Sequence, residues 1–166
     1  VQDAQANAFC MPGGQIVFFE GILPFTRDAA GMAVVMGHEV AHAVAKHSSE
    51  QVTQQLLLQY GLNFTNMLLS QQSDALRSVI SSIYGIGPQV GVTLPYSRQH
   101  EYEADHLGLI FMAMAGYDPR EAVTFWERMA ANSGSSLEII STHPSHGNRI
   151  SRINELLPEA LKYYNP

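Results

Sequence analysis

The sequence predicts an α+β fold that is mostly helical, with one small β-sheet near the N-terminus. Three observations carry this. Two short apolar arms flank a Pro-Gly-Gly turn at residues 12–14; beyond them most segments have helical apolar spacing; no internal repeat or low-complexity tract interrupts the pattern. At 166 residues the chain reads as a single domain spanning 1–166, large enough for a real core. Only 14% of residues are charged and 46% are hydrophobic, so much of the chain is expected to be buried. A net charge of -6 without any Lys/Arg cluster argues against nucleic acid as a partner. The single Cys10 excludes an internal disulfide. The apolar runs "GLIFMAMAG" and "AGMAVVMG" fall well short of the roughly 18 residues a membrane-spanning helix needs. The opening "VQDAQANAF" reads as the start of a trimmed mature domain, with any membrane anchor carried by a segment that precedes it.

Within "AFCMPGGQIVFFEGIL", Pro12 presets one turn dihedral and Gly13 or Gly14 supplies positive φ, making two strands of a hairpin. The second arm, Ile16 to Phe19, has the β-branched and aromatic content strands favour. Thr26 is the expected N-cap of the next helix, with Asp28 in its first turn. That helix runs to about Lys46, and its pattern allows continuation through "SSEQVTQQLLLQ". "SDALRSVISSIY" places Leu76, Val79, Ile80 and Ile83 on one helical stripe, and "GIGPQVGVTLP" is a loop broken by glycine and proline. Helix is expected again from near Ser97 to Gly116. Asp118-Pro119 caps and starts the helix "REAVTFWERMAA". "NSGSS" is a linker and "STHPSHG" a loop, and "NRISRINELL" forms a last helix ending near Pro158.

The chemistry concentrates in "GHEVAHAVAKH", residues 37–47. At roughly 100° per residue, His38 and His42 lie one turn apart and within about 40° of the same direction, so both imidazoles can reach one ion. Glu39 sits about 100° round the helix, placed to touch a water near that ion rather than to bind it. This is the HExxH arrangement, two zinc ligands and a general base. His47 points about 180° from His38 on a continuous helix and reads as a structural histidine. The long metzincin motif would require glycine at 45 and a third histidine at 48; Ala45 and Ser48 exclude it. A catalytic zinc wants three protein ligands, so the third must come from elsewhere, and "SRQHEYEAD" (97–105) offers it. Glu101 and Asp105 share a helix face while Glu103 points nearly opposite. One carboxylate of that pair can bind the ion, and the other can accept the free N–H of a ligand histidine.

With these residues in view, the chain resembles metallopeptidase family 48, the HExxH/ExxAD gluzincins. The likeness runs nearly end to end, through "NAFCMPGGQIVFFEGIL", "GHEVAHAVAKH", "SRQHEYEAD", "AGYDP" and "STHPSHGNRI". It implies a gluzincin-type core with the small sheet beside the HExxH helix. It also implies one zinc per chain held by His38, His42 and Glu101, with Glu39 as catalytic base and Asp105 supporting a ligand. His143 and Arg149 are drawn in by the same likeness, steadying the oxyanion or, for a resting form, occupying the water position. His146, Tyr96, His100 and His106 receive no task. The strand residues Gln15, Ile16, Val17 and Phe18 are expected to pair with an extended substrate.

The expected activity is zinc-dependent endopeptidase cleavage of peptides or unfolded proteins. The absence of spanning helices places the resemblance with the soluble or lipid-anchored branch, and so with the bacterial periplasm or outer envelope and its protein quality control. A rival reading is a zinc-bound, weakly cleaving module that holds misfolded clients, for which residues 61–91 would supply a lid or docking surface. A zinc hydrolase acting on non-peptide bonds is a further rival.

Overall fold

The computed structural model describes residues 1–11, 13–68, 78, 94–132, 143 and 148–166. Strand β1 (Ala8–Cys10) pairs antiparallel with β2 (Ile16–Phe18) in the register Ala8↔Phe18, Phe9↔Val17, Cys10↔Ile16. Gly13 and Gly14 adopt φ of 108° and 85°, conformations open to glycine at little cost, and this closes the hairpin. The Met11 amide donates to the Gln15 carbonyl and the Phe19 amide to the Asn7 carbonyl. Hydrogen-bonded pairs alternate along an antiparallel ladder, so the backbone groups of Ala8 and Cys10 point away from β2, towards the free edge of β1.

A 3₁₀ turn at Glu20–Ile22 and the short α1 (Leu23–Thr26) lead into α2 (Ala29–Val44). The cap of α2 is Asp28, not Thr26. The Asp28 carboxylate accepts from the Gly31 amide at 2.9 Å, whereas the Thr26 hydroxyl closes α1 by donating to the Leu23 carbonyl at 3.1 Å. Between them Arg27 takes φ 64°, so the chain turns before the long helix can begin.

The helical pattern that follows is two helices rather than one. α2 stops at Val44, Lys46 adopts φ 59°, and α3 (His47–Leu68) leaves in a new direction. α4 (Leu94–Met114) starts ahead of the expected Ser97. Asp118 accepts from the Arg120 amide at 3.0 Å and grips its guanidinium, so Asp118 and Pro119 form a turn and α5 (Glu121–Ala131) begins after it. α6 (Arg149–Ala160) carries Pro158 inside its last turn and closes with a 3₁₀ turn at Leu161–Tyr163. The expected stripe of Leu76, Val79, Ile80 and Ile83 lies outside the described residues. So do most of the expected loop before Leu94, the linker after Asn132 and the loop around His143.

α2 is the central element. Its apolar half, with Val34 and Val35, joins Ile22, Leu109, Phe125, Met129 and Ile153 in the core. Its second half crosses α4 at backbone contact. A Cβ built on Gly37 would stand 2.6 Å from the Gly108 carbonyl oxygen, and one on Gly108 would stand 2.9 Å from the His38 nitrogen. Neither distance is tolerable for a side chain. Two glycines therefore let α4 approach α2 at His38, which brings the α4 carboxylates one and two turns upstream of Gly108 against the α2 histidines. No helix among the described residues is long and apolar enough to cross a membrane.

Candidate metal centre

Four buried side chains from three places in the chain converge at this crossing. α2 supplies His38 and His42, α4 supplies Glu101, and His143 comes from the segment before α6; one ligand atom of each lies within 4.8 Å of all the others. His38 Nε2 lies 3.1 Å from His42 Nε2, 3.2 Å from His143 Nδ1 and 3.2 Å from Glu101 Oε2. Glu101 Oε1 lies 3.1 Å from His143 Nδ1 and 3.4 Å from His42 Nε2.

Protons alone satisfy this arrangement poorly, because three ring nitrogens and one carboxylate face a common point. A cation there would meet a lone pair from each. Three imidazole nitrogens and one carboxylate oxygen are a donor set suited to zinc, so the residues present fit a metal.

The surroundings are strongly polarised. Burial would lower His38, but its hydrogen bonds to Asp105 and Glu101 outweigh that and raise its pKa to about 9. Burial is the main cause that takes His42 down to about 4, against the pull of Glu101. Burial would raise Glu101, yet hydrogen bonds from His143, His38 and His42 hold it well below the usual carboxylate range.

Glu39 lies beside the cluster, 1% exposed, with Oε1 at 3.4 Å from His143 Nε2. That oxygen has no hydrogen-bond partner among the described residues. Burial pushes the Glu39 carboxyl up, opposed by His143 and His38 and by a backbone hydrogen bond from Cys10. A cavity of about 180 Å³ opens here, lined by Phe9, Cys10, Glu39, His42, Glu101 and His143 among others.

Asp105 lies behind His38, its Oδ1 3.0 Å from His38 Nδ1. Arg149 is gripped by Asp105, reaches within 3.9 Å of Glu101, and lays its guanidinium 3.5 Å over the Trp126 ring. It therefore meets the cluster from behind rather than from the cavity. Gln15, Ile16, Val17 and Phe18 do not line the cavity. The free edge that faces Glu39 belongs to β1, and β2 pairs with its other side.

A family model, Peptidase family M48, matches residues 1–157. The chain belongs to this family. Within peptidase family M48 it is 41% identical to the mitochondrial metalloendopeptidase OMA1 of Schizosaccharomyces pombe, over 96% of this chain and 46% of that protein. It is 36% identical to human metalloendopeptidase OMA1, mitochondrial, over 94% of this chain and 31% of that protein. The β-barrel assembly-enhancing protease of Escherichia coli is 25% identical over 98% of this chain and 35% of its own length. This M48 chain thus spans less than half the length of each of these relatives. The two more similar ones carry mitochondrial names and the third is bacterial, so the relatives do not share one compartment.

His47, expected to be structural, packs against His42. Its ring is buried, with Nδ1 2.9 Å from His42 Nδ1 and Nε2 3.3 Å from Glu103 Oε2. The helical-wheel angle that set it aside assumed a continuous helix, and the positive φ of Lys46 removes that assumption. The usable signal was a third histidine spaced so closely behind HExxH.

Proposed function

We propose that this chain is the catalytic part of a zinc-dependent endopeptidase, with His38, His42 and Glu101 holding the ion and Glu39 acting as general base. The observation that carries it is a buried carboxylate, Glu39, whose Oε1 has no hydrogen-bond partner among the described residues, set beside a converging His-His-Glu cluster at the wall of an open cavity. Zinc, when bound, supplies Lewis acidity for a peptide carbonyl and lowers the pKa of an attacking water towards ~7.

Glu39 takes the proton from that water and returns it to the leaving amine. Its burial raises the carboxyl and so makes it a stronger proton acceptor than an exposed glutamate. His143 contributes its ring at the cleft. It would either join the residues that hold the ion in a resting form or donate to the oxygen on which negative charge develops. Asp105 accepts from His38 Nδ1 and so leaves Nε2 free for the ion, and Arg149 pins Asp105 in place.

An extended peptide beside Glu39 would meet the outer edge of β1, where the Ala8 and Cys10 carbonyls face outward for main-chain pairing while the Ala8 amide is held by Asn7 Oδ1 and the Cys10 amide by Glu39. The substrates of this reading are peptides or unfolded proteins. The bacterial envelope remains our proposed compartment by the likeness to the β-barrel assembly-enhancing protease.

Glu39→Gln separates binding from chemistry. Its zinc content should match the parent while casein turnover falls about 10²–10⁴-fold, the share a general base contributes. Turnover retained in a metal-loaded, pure preparation would refute the role.

A second reading, a client-holding module that seldom cleaves, draws on α3, where Leu57, Tyr60, Phe64 and Met67 are all more than half exposed. Casein cleavage that stops with a chelator favours the peptidase. Suppressed aggregation of an unfolded client without cleavage favours the holder.

A further inference from the structure

The two α2 histidines of the cluster are supported in different ways. His38 turns Nδ1 directly onto the Asp105 carboxylate at 3.0 Å. His42 turns Nε2 into the cluster, 3.4 Å from Glu101 Oε1, and its Nδ1 meets another imidazole, His47 Nδ1, at 2.9 Å. Two facing ring nitrogens make a hydrogen bond only if one of them carries the proton. We propose that His47 is a positioning residue for His42, accepting the His42 Nδ1–H and relaying the hydrogen-bond chain to Glu103, so that His42 Nε2 is held bare towards the metal. This rests on the metal reading given above.

The proton assignment follows from valence. A neutral imidazole carries one N–H, and His42 must keep Nε2 bare to bind an ion, so its proton is on Nδ1. His47 Nδ1 must then accept. Neutral His47 in turn carries its own proton on Nε2, 3.3 Å from Glu103 Oε2. Each assignment forces the next.

The scaffold holds the relay in register. His47 is 2% exposed and opens α3 immediately after Lys46, whose φ of 59° folds the ring back towards α2. His100 stacks on it with centroids 4.2 Å apart and planes 15° from parallel, and is itself bonded to Glu50 on α3 at 2.9 Å. His100 and Glu103 are one turn apart on α4, and Glu103 points nearly opposite Glu101. The α4 helix therefore serves the cluster twice, with Glu101 directly and with Glu103 through His47. Outer partners of ligand histidines orient the ring and raise its basicity, and losing one typically weakens metal affinity 10–100-fold.

Zinc affinity of the purified chain, measured in competition with a chromophoric chelator, tests this. His47→Phe should raise the zinc Kd about 10–100-fold. His47→Asn, whose side-chain oxygen can stand near the lost Nδ1, should recover most of that loss. Glu103→Ala should weaken binding less, and should add almost nothing in the double variant with His47→Phe, because it acts only through that ring. Affinity within about twofold of the parent for His47→Phe, equal weakness of His47→Asn and His47→Phe, or fully additive losses with Glu103→Ala would each overturn the relay. Should His47→Phe fail to fold, Glu103→Ala decides alone, since its half-exposed side chain does not threaten the fold; parent-like affinity there overturns the proposal. A parent protein that binds no zinc overturns the metal reading itself, an outcome distinct from tight parent binding with indifferent variants.

Discussion

Glu39 and Glu101 are both buried carboxylates flanked by histidines, yet burial prevails in one and the imidazoles in the other. The imidazoles around Glu101 hold it ionised, as the proposed ligand role needs; Glu39 keeps an oxygen without a hydrogen bond among the described residues and a raised pKa, as the proposed base role needs. The difference predicts their variants. Glu101→Ala should lose bound zinc in a metal-content assay, while Glu103→Ala, assayed at saturating zinc, should retain it even though its affinity is weakened. The reverse result would mean that the ligand on α4 is misassigned. Asp105→Ala should keep the fold but weaken zinc about 10–100-fold by releasing His38 Nδ1, readable in the same chelator competition. It should also leave Arg149 as a buried cation short of its main partner, so a lowered melting temperature should accompany it.

Single elements decide how these residues meet. The α2–α4 crossing depends on Gly37 and Gly108, and Gly108→Ala would push a methyl to 2.9 Å from the His38 backbone nitrogen. The helices must then separate, costing about 1–3 kcal/mol by overpacking and displacing His38 from Glu101. Thermal unfolding and zinc content should fall together in this variant. Removal of the α2 cap by Asp28→Ala should cost about 1 kcal/mol by orphaning the Gly31 amide. That cap lies at the far end of α2 from His42, so zinc affinity should hold, and a joint loss would show that the helix shifts as one body. At this scale the sequence was readable where local chemistry decides, as in the Gly13-Gly14 reversal and the apolar arms of the hairpin. It was not readable where one residue bends the path. Arg27 and Lys46 take positive φ with side chains that give no hint of it, and this moved the cap from Thr26 to Asp28 and made the segment beyond Lys46 a separate helix rather than a continuation.

Across the whole molecule, the core formed by Phe125, Met129, Ile153 and Ile22 lies under the N-terminal half of α2, and the polar cluster lies under its C-terminal half. Phe125 is fully buried, so Phe125→Ala should cost about 3–5 kcal/mol in denaturant unfolding while leaving the donor atoms intact. Zinc should restore part of that loss by mass action, whereas a cluster that binds no ion would give no restoration. Residue order alone determined the helix-turn spacing that aligns His38 with His42 and offsets Glu39. The same spacing put Glu101 and Asp105 on one face of α4, because helical geometry is local and repeats every few residues. Tertiary structure decided the rest. It brought His143 to the cluster across a sequence separation of 105 from His38, set Arg149 against Asp105 and Trp126, turned the free edge of β1 rather than β2 towards Glu39, and folded His47 back onto His42. Those placements depend on which distant surfaces pack, and on backbone turns at residues whose identity does not announce them.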